Sequence, residues 1–321
     1  MNRDMARILV TDKTAPVLQQ TLEAAGHRVV VDTTVTYDSL LEQIGQYDAL
    51  VVRSKINIDR HFLDHARHLR CIGRVGAGME TIDVDYAESL GIRCLNSPEG
   101  NRDAVGEHAL GLLLALIDNI ARADAEVRQG LWQREANRGL EIKGRTVGII
   151  GFGNMGGAFA QRLQGFECDI IAYDKYKPAG YAPTYVQEVS LAELQERAEV
   201  LSLHVPLTPE THHMVNHDFI QHFRHPFYLI NTSRGAVVNT PDLVEAMKAE
   251  HILGAALDVI EYEDMSRDGL DLEHLHPAFQ YLIDSPHTVL TPHVAGWTVE
   301  SRYKLAKVLA EKIILELKTE N

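Results

Sequence analysis

Three residues in the second half of the chain, Arg234, Glu263 and His293, are of the types needed for acid–base chemistry on a small organic acid. A guanidinium binds a carboxylate through paired hydrogen bonds, and an imidazole exchanges a proton near neutral pH. A carboxylate beside that imidazole stabilises its charged form and fixes its orientation. The set fits the oxidation of a hydroxyl group next to a carboxylate, with Arg234 binding the acid and His293 taking the hydroxyl proton. Glu261 is an alternative partner for the histidine, because it lies only two residues before Glu263.

A glycine motif suited to a dinucleotide lies between a predicted strand and a predicted helix. Its residues are Gly151, Gly153, Asn154, Met155 and Gly156. Glycines at this spacing allow a tight turn and let a pyrophosphate approach the backbone at a helix N-terminus. The alternative is a glycine turn that only closes a βα unit.

The acid at the end of the next apolar run, Asp174, strengthens the dinucleotide interpretation. It lies close to the roughly 20 residues downstream at which an acid meets the adenosine ribose. A carboxylate there accepts from the ribose 2′-hydroxyl and repels a 2′-phosphate, which favours NAD over NADP. Lys175 and Lys177 follow it and weaken that preference slightly.

A candidate anion site follows two predicted strands in the first hundred residues. Its residues are Arg53, Ser54, Arg74, Gly76, Ala77 and Gly78. The arginines supply positive charge, and the bare amides of the glycine turn can form a nest that binds a carboxylate. Alternatively, the two arginines pair with nearby acids on the surface.

Short apolar runs alternate with stretches of helical periodicity, a pattern typical of parallel βαβ units. Strands are predicted at 7–12, 27–32, 48–53, 70–75 and 92–96. After a long helix at 103–129, further strands are predicted at 146–150, 169–174, 199–205, 227–231, 254–259 and 288–290. A final amphipathic helix is predicted at 299–318. The sequence therefore predicts an α/β protein with two doubly wound parallel sheets.

Polar residues occur at the ends of several strands of the second series. They are His204, Pro206, Thr232 and Asp258, in addition to Arg234 and His293. Because open α/β sheets bind ligands beyond the carboxyl ends of their strands, we expect these residues to lie at one cleft.

The composition is that of an ordinary globular protein, with 45% hydrophobic and 24% charged residues among 321. The net charge of −14 argues against binding to nucleic acid or to an anionic membrane surface. No apolar stretch approaches the roughly 18 residues of a membrane span, and the N-terminus does not have the pattern of a signal peptide. Three widely spaced cysteines suit reduced thiols. We expect a cytoplasmic protein without a metal site.

Several motifs together resemble the D-isomer-specific 2-hydroxyacid dehydrogenase family, and within it the D-3-phosphoglycerate dehydrogenase branch. They are GEHALGL at 106–112, GFGNMGG at 151–157, HVPLTPET at 204–211, NTSRGAVV at 231–238, ALDVIEYE at 256–263 and LTPHVAGWT at 290–298. Their order and intervals match the family, and the resemblance extends over essentially the whole chain.

The resemblance implies roles for individual residues. It assigns Arg234, Glu263 and His293 as the catalytic set, and it places Asp258 near the nicotinamide carboxamide. His204 and Thr232 would lie along the cofactor, the Gly76-Ala77-Gly78 turn would hold the substrate carboxylate, and Asn96 would lie near the cleft. Asp264 follows Glu263 where the family usually has proline. We therefore expect the segment around the glutamate to be less rigid than in the family.

The resemblance also implies a domain organisation and an activity. A Rossmann NAD-binding domain would span 99–296, and a flavodoxin-like substrate domain would comprise 1–98 and 297–321. A homodimer would form through the 103–129 helix. We expect hydride transfer between NAD and C2 of a small D-2-hydroxy acid. The first candidate substrate is 3-phosphoglycerate, which would place the enzyme in serine biosynthesis. The alternatives are a glyoxylate or hydroxypyruvate reductase, and a non-catalytic NAD-sensing scaffold of the corepressor kind. The sequence leaves open the substrate, the direction, the strictness of the NAD preference and the regulation.

Overall fold

The computed structural model of the protein describes residues 5–263 and 275–318. The chain divides into two compact units, one formed by Met1–Arg102 with Trp297–Asn321 and the other by Asp103–Gly296. Each unit contains one sheet, and all strand pairings among the described residues are parallel. The predicted α/β fold with two parallel sheets is confirmed.

The first unit is built on a five-stranded sheet. Its strands are β1 (Arg7–Val10), β2 (Arg28–Val31), β3 (Ala49–Val52), β4 (Cys71–Arg74) and β5 (Arg93–Leu95), and they pair in the order β2-β1-β3-β4-β5. Its helices are α1 (Pro16–Ala24), α2 (Tyr37–Gln43), α3 (Arg60–His65), α4 (Val84–Ser89) and the C-terminal α12 (Val299–Lys318). All four residues of β3 are buried, because helices cover both faces of the sheet.

The C-terminal helix α12 completes the core of the first unit. Leu305, Leu309 and Ile313 on this helix are buried together with residues of β1 and β3. A Cβ atom at Gly73 would lie 2.9 Å from the Ile313 side chain. The glycine in β4 therefore allows α12 to pack closely on the sheet, and the first unit needs both ends of the sequence.

The second unit is built on a seven-stranded sheet. Its strands are β6 (Thr146–Ile150), β7 (Asp169–Tyr173), β8 (Gln187–Glu188), β9 (Val200–Leu203), β10 (Phe227–Asn231), β11 (Ile252–Leu257) and β12 (Thr288–Leu290), in the order β12-β11-β10-β9-β6-β7-β8. Its helices are α5 (Arg102–Ile117), α6 (Ile120–Arg128), α7 (Asn154–Leu163), α8 (Leu191–Arg197), α9 (His217–Gln221), α10 (Thr240–Lys248) and α11 (Pro277–Asp284). Since the strands are parallel, their carboxyl ends share one edge of the sheet.

The prediction of a single helix over 103–129 is wrong. The helix breaks after Ile117, and Asn119 adopts the left-handed conformation with φ of 55°. An asparagine tolerates this conformation better than most residues, so a single residue turns the chain without changing the helical periodicity on either side. Among the described helices, none alone is long and apolar enough to cross a membrane. Helices α5 and α6 have the length and apolar composition of a membrane span only when they are taken together, and the chain bends by 62° between them.

Two glycines of α5 provide a matched test of helix packing in the second unit. A Cβ atom at Gly106 would lie 2.8 Å from the backbone carbon of Ala158 in α7, whereas one at Gly111 would meet nothing within 4 Å. We expect Gly106→Ala to lower the free energy of unfolding by about 1–3 kcal/mol through overpacking. Gly111→Ala should raise it by up to about 1 kcal/mol through helix propensity. Denaturant unfolding measures both, and equal effects of the two variants would contradict the close approach of α5 to α7.

Candidate active site

The central feature of the site is an imidazole–carboxylate pair at the carboxyl edge of the second sheet. His293 follows β12 and Glu263 follows β11. The Nδ1 atom of His293 lies 3.2 Å from each carboxylate oxygen of Glu263. A carboxylate only accepts hydrogen bonds, so Nδ1 carries the proton and the lone pair of neutral His293 is on Nε2. An imidazole with a free lone pair on Nε2 and a carboxylate that orients it are therefore in contact.

The backbone of His293 is held in an uncommon conformation. Its φ is 53°, in the left-handed region that costs a non-glycine residue about 1–2 kcal/mol. The Asp258 residue stabilises this turn from several sides. The Asp258 carbonyl accepts from the His293 amide at 2.8 Å, and its two carboxylate oxygens accept from the Val294 and Ala295 amides, each at 2.8 Å. Asp258 thus fixes the loop that carries the imidazole.

Asp258 is a buried charge, with 1% of its surface exposed. Its Oδ1 accepts from the Thr291 hydroxyl at 2.6 Å, and Nε2 of His108 lies 3.4 Å away. Burial by itself raises the pKa of Asp258, but the hydrogen bonds from His108, Thr291, Ala295 and Val294 outweigh it and leave the pKa below its usual value. The carboxylate is therefore charged under ordinary conditions. The prediction that it contacts the nicotinamide stays a prediction.

The two glutamates after β11 face different partners. The Glu261 carboxylate accepts from the Thr240 amide at 3.0 Å and pairs with His213. Burial raises the pKa of Glu261, but the bonds from Thr240 and His213 lower it more, so the net shift is downward. Glu263 alone of the two contacts His293 in the described structure. Glu261 fastens the segment to α10, which leaves Glu263 beside the imidazole.

Arg234 is presented by a loop that Asn231 organises. The buried Asn231 side chain accepts from the Ser233 amide and hydroxyl at 3.0 and 2.7 Å, and donates to the Arg234 carbonyl at 3.0 Å. A Cβ atom at Gly235 would lie 2.0 Å from the carbonyl carbon of Ile260. The loop therefore packs against the segment that leads to Glu263. Asn231 is not among the predicted site residues, although a buried amide at the end of an apolar strand is a usable signal.

The glycine motif forms a tight turn with one open face. A Cβ atom at Gly151, whose φ is 88°, would lie 2.5 Å from the His204 carbonyl oxygen, and one at Gly156 would lie 2.1 Å from the Gly151 carbonyl oxygen. At Gly153 a Cβ atom would meet nothing within 4 Å. Asn154 and Met155 then begin α7. The turn has the compact interior and bare outer surface at a helix N-terminus that a pyrophosphate requires.

Asp174 is joined to this turn by hydrogen bonds that the sequence does not reveal. Its Oδ2 accepts from the Phe152 amide at 2.9 Å and its Oδ1 from the Tyr176 amide at 3.0 Å. Each carboxylate oxygen can accept a second bond, so capacity remains for ribose hydroxyls. Lys175 pairs with Glu210, and Lys177 donates to the Phe152 carbonyl. Both lysines are therefore engaged within the second unit.

Thr232, His204 and Pro206 lie in different surroundings. The Thr232 hydroxyl oxygen is buried and has no hydrogen-bond partner among the described residues, which fits a position beside a ligand. Nε2 of His204 lies 2.8 Å from the Ser202 hydroxyl, whereas its Nδ1 is buried without a partner among the described residues, and burial lowers the pKa of His204 to about 3. The Pro206 carbonyl accepts from the Thr211 hydroxyl at 2.6 Å. With the open glycine turn and Asp174, the unpartnered Thr232 hydroxyl makes these residues a fit for NAD.

The other predicted site residues belong to the first unit, where Arg74 adjoins a glycine turn and also contacts the backbone of Arg53. The Arg53 guanidinium stacks on the Trp297 indole, 4.2 Å from its centre, and burial lowers the pKa of Arg53. The Arg53 carbonyl accepts from Nε of Arg74 at 3.1 Å. A Cβ atom at Gly76 would lie 1.8 Å from the Arg74 guanidinium, so the arginine crosses directly over the turn. The guanidinium of Arg53 thus lies against an aromatic ring.

The carbonyl groups of the glycine turn are held by the segment after β5. Asn96 donates to the Ala77 carbonyl at 2.6 Å, and the Ser97 amide donates to the Gly76 carbonyl at 2.9 Å. Ser54 is exposed. Asn96 therefore stabilises the turn through the Ala77 carbonyl group, which leaves the amide groups of the turn outside this contact. Among the described residues, no group of three or more histidine, cysteine or acidic side chains could hold a metal ion.

Comparison with known proteins agrees with this geometry. Residues 110–295 match the model of the D-isomer specific 2-hydroxyacid dehydrogenase NAD binding domain. The hydroxypyruvate reductase of Thermotoga maritima is 35% identical over 280 residues, which cover 87% of this chain and 88% of that protein. The crystal structure of the TT0316 protein from Thermus thermophilus has a TM-score of 0.78 and 31% identity, covering 97% of both chains.

A longer relative matches nearly the whole of this chain. The D-3-phosphoglycerate dehydrogenase of Methanocaldococcus jannaschii is 35% identical over 311 residues, which cover 96% of this chain. The chain spans 57% of the length of that relative. The matched domain binds NAD in the family, so the predicted cofactor and the predicted family resemblance are both confirmed.

The depressed pKa of Asp258 predicts how stability depends on pH. Because the folded pKa lies below the unfolded one, the contribution of Asp258 is complete above the unfolded value and is lost as the pH falls through the folded value. We expect Asp258→Asn to lower the free energy of unfolding at pH 7 by about 1–3 kcal/mol. The difference from the unsubstituted protein should shrink below about pH 4. Denaturant unfolding at several pH values measures this, with the exposed Asp284→Asn as control. A deficit that does not change with pH would contradict the assignment.

Proposed function

This chain belongs to the D-isomer specific 2-hydroxyacid dehydrogenase family, and from that premise we propose that it transfers a hydride between C2 of a D-2-hydroxy acid and NAD. The observation that carries the proposal is the contact between Nδ1 of His293 and both carboxylate oxygens of Glu263. It leaves Nε2 as a directed base at the edge of a sheet that also carries the glycine turn and Arg234. A scaffold that only senses NAD would not need a base oriented in this way.

The residues of the second unit account for the proton and the carboxylate. Arg234 binds the substrate carboxylate, and His293 takes the hydroxyl proton on Nε2 while a C–O double bond forms at C2. NAD bound at the glycine turn would supply the acceptor for the hydride, which leaves C2 with its electron pair. Glu263 stabilises the imidazolium through Nδ1, and in the reverse direction His293 returns the proton to the keto oxygen.

The turn around Gly151, Gly153 and Gly156 would hold the NAD pyrophosphate, and Asp174 would accept from the adenosine ribose. The unpartnered Thr232 hydroxyl would bond to the cofactor beyond β10. A 2′-phosphate beside Asp174 would meet a carboxylate, while Lys175 is already paired with Glu210. These contacts support NAD as the preferred cofactor.

For the substrate we propose 3-phosphoglycerate. The Arg74 side chain crosses over the Gly76-Ala77-Gly78 turn, and its Nε donates to the Arg53 carbonyl, so one guanidinium lies at the turn and the backbone of a second arginine lies beside it. The guanidinium groups would hold the phosphate, and the amides of the turn would donate to an anionic oxygen of the substrate. Hydroxypyruvate is the second candidate, because the Thermotoga maritima relative matches this chain over 88% of its own length.

Assays with a panel of acids test the substrate. We expect 3-phosphoglycerate to give a higher kcat/KM with NAD than D-glycerate does, and 3-phosphohydroxypyruvate to give a higher kcat/KM with NADH than hydroxypyruvate or glyoxylate does. Arg53→Ala should raise the KM for 3-phosphoglycerate by about tenfold or more, and change that for glyoxylate by less than about threefold. Arg67→Ala, which alters an exposed arginine paired with Asp64, is the control. Faster turnover of the unphosphorylated acids would favour the reductase, and no turnover of any acid despite NAD binding would favour the scaffold.

Variants of the two glutamates and the histidine test the chemistry. We expect His293→Ala to lower kcat by about 10²–10⁴-fold, because the base is lost, with little change in NAD affinity. Glu263→Gln should lower kcat by about tenfold or more. Glu261→Gln should change kcat by less than about threefold and act mainly on thermal stability, since Glu261 bonds Thr240. Steady-state kinetics with titration calorimetry of NAD measures these effects. A larger loss of kcat for Glu261→Gln than for Glu263→Gln would reverse the assignment.

The proposed enzyme is a homodimer that pairs through α6 and the residues after it. Helix α6 buries none of its side chains, and exposed apolar residues follow along it and beyond, with Ile120 53%, Val127 50% and Trp132 78% exposed. Such a surface favours a protein partner, and a second copy covers it symmetrically. We expect Val127→Glu and Trp132→Glu to shift the mass measured by light scattering from dimer to monomer. Val299→Glu, at another exposed apolar residue, should not. A monomeric starting protein would refute the dimer.

A cytosolic location completes the proposal. Cys71, Cys94 and Cys168 are free thiols. Burial raises the pKa of the Cys71 thiol to about 12, so it remains protonated and unreactive. Three free thiols, of which Cys71 is buried, suit a reducing compartment, which cell fractionation can check.

A further inference from the structure

One histidine outside the proposed catalytic set contacts the support of His293. His108 lies on α5, and its Nε2 atom is 3.1 Å from the Thr291 hydroxyl and 3.4 Å from Oδ1 of Asp258. Its side chain is 26% exposed, whereas that of Asp258 is 1% exposed. His108 is therefore the outermost member of a chain of polar groups that ends on a buried charge.

The direction of each hydrogen bond follows from counting protons. The Thr291 hydroxyl has one proton, and its 2.6 Å bond to Asp258 uses it, because a carboxylate can only accept. The hydroxyl oxygen must then accept from His108, so Nε2 of His108 carries a proton. His108 donates to Thr291, Thr291 donates to Asp258, and Asp258 accepts from the amides of Val294 and Ala295.

We propose that His108 is a positioning residue that acts through Thr291 and Asp258 to keep His293 aimed at Glu263. The inference rests on the proposed function, in which His293 is the base. His108 restrains Thr291, which lies two positions before His293. Its Nε2 also faces the Asp258 carboxylate, which accepts from the amides of Val294 and Ala295, the two residues after His293. The left-handed turn at His293 thus depends on a side chain from a helix far away in the sequence.

The consequence concerns the chemical step. A left-handed non-glycine residue persists only where surrounding bonds overdetermine it. Without the donor from α5, the 291–295 loop gains freedom, and the Nδ1 contact with Glu263 and the direction of Nε2 become less well defined. Proton transfer is sensitive to such changes, whereas the glycine turn and Asp174, which hold the cofactor, have no part in the chain. The effect is therefore expected on kcat rather than on NAD affinity.

Two substitutions of His108 separate this role from simple packing. Glutamine places an N–H group near the position of Nε2, and asparagine places one near that of Nδ1, so only glutamine can still donate to Thr291. We expect His108→Gln to keep kcat within about threefold and His108→Asn to lower it by about tenfold or more, with the KM for NAD unchanged in both. His222→Asn, at an exposed histidine after α9, is the matched control and should behave like the unsubstituted protein.

A double variant and a measurement without turnover complete the test. His108→Asn combined with Thr291→Val should have nearly the same kcat as Thr291→Val alone, because both break one chain. In the ligand-free protein, amide hydrogen exchange at Val294 and Ala295 should accelerate in His108→Asn and not in His108→Gln. The proposal would be overturned if His108→Gln and His108→Asn had the same kcat and the same exchange rates, or if the double variant lost the sum of the two single losses in kcat. It would also be overturned if His108→Asn changed only thermal stability. Absence of turnover in the unsubstituted protein would refute the proposed function only, since the exchange comparison needs no substrate.

Discussion

The carboxylate of Asp258 is the constraint on which the second unit's site depends. A buried charge is destabilising unless hydrogen bonds replace its lost water. Here the replacement donors are the Thr291 hydroxyl and the amides of Val294 and Ala295. The bonds that solvate the charge are also the bonds that shape the loop around His293. If the loop changed shape, the buried carboxylate of Asp258 would lose these hydrogen bonds and remain charged in an apolar interior.

The segment after β11 is anchored in a complementary way. It begins at Asp258, its middle packs against Gly235, and Glu261 is bonded to the start of α10. These attachments leave Glu263 as the residue that reaches the imidazole. The site therefore does not depend on a single rigid element. It depends on two loops, each fixed by side chains that take no part in the proposed chemistry.

Much of the fold follows from the sequence, because buried parallel strands are short apolar runs bounded by polar residues. The strands Phe227–Asn231 and Thr288–Leu290 and the helix Val299–Lys318 have the predicted ends. The break at Asn119 could not be predicted, since one left-handed residue leaves the periodicity on both sides intact. The two-residue strand Gln187–Glu188 lacks an apolar run altogether.

The site shows a similar division. The residue types at strand ends led to the prediction of Arg234, Glu263 and His293 as the catalytic set, but not to the side chains that hold them. Asn231 ends an apolar strand, which is a usable signal, whereas His108 lies within a helix and does not stand out by pattern. The importance of His108 comes from its contact with Thr291, a residue distant in sequence. The pairing of Glu261 with Thr240, which separates the two glutamates, is likewise visible only in three dimensions.

The hydrogen bonds of Asp174 have a consequence for altering cofactor preference. Since its carboxylate accepts from the amides of Phe152 and Tyr176, it stabilises the backbone at the glycine turn in addition to its proposed contact with the ribose. Replacing the acid to admit a phosphorylated dinucleotide would also release two backbone donors. An engineered switch would need a neutral acceptor at this position before any cation is introduced. Selection for a new coenzyme would meet the same obstacle, so a single substitution is a poor first step along that path.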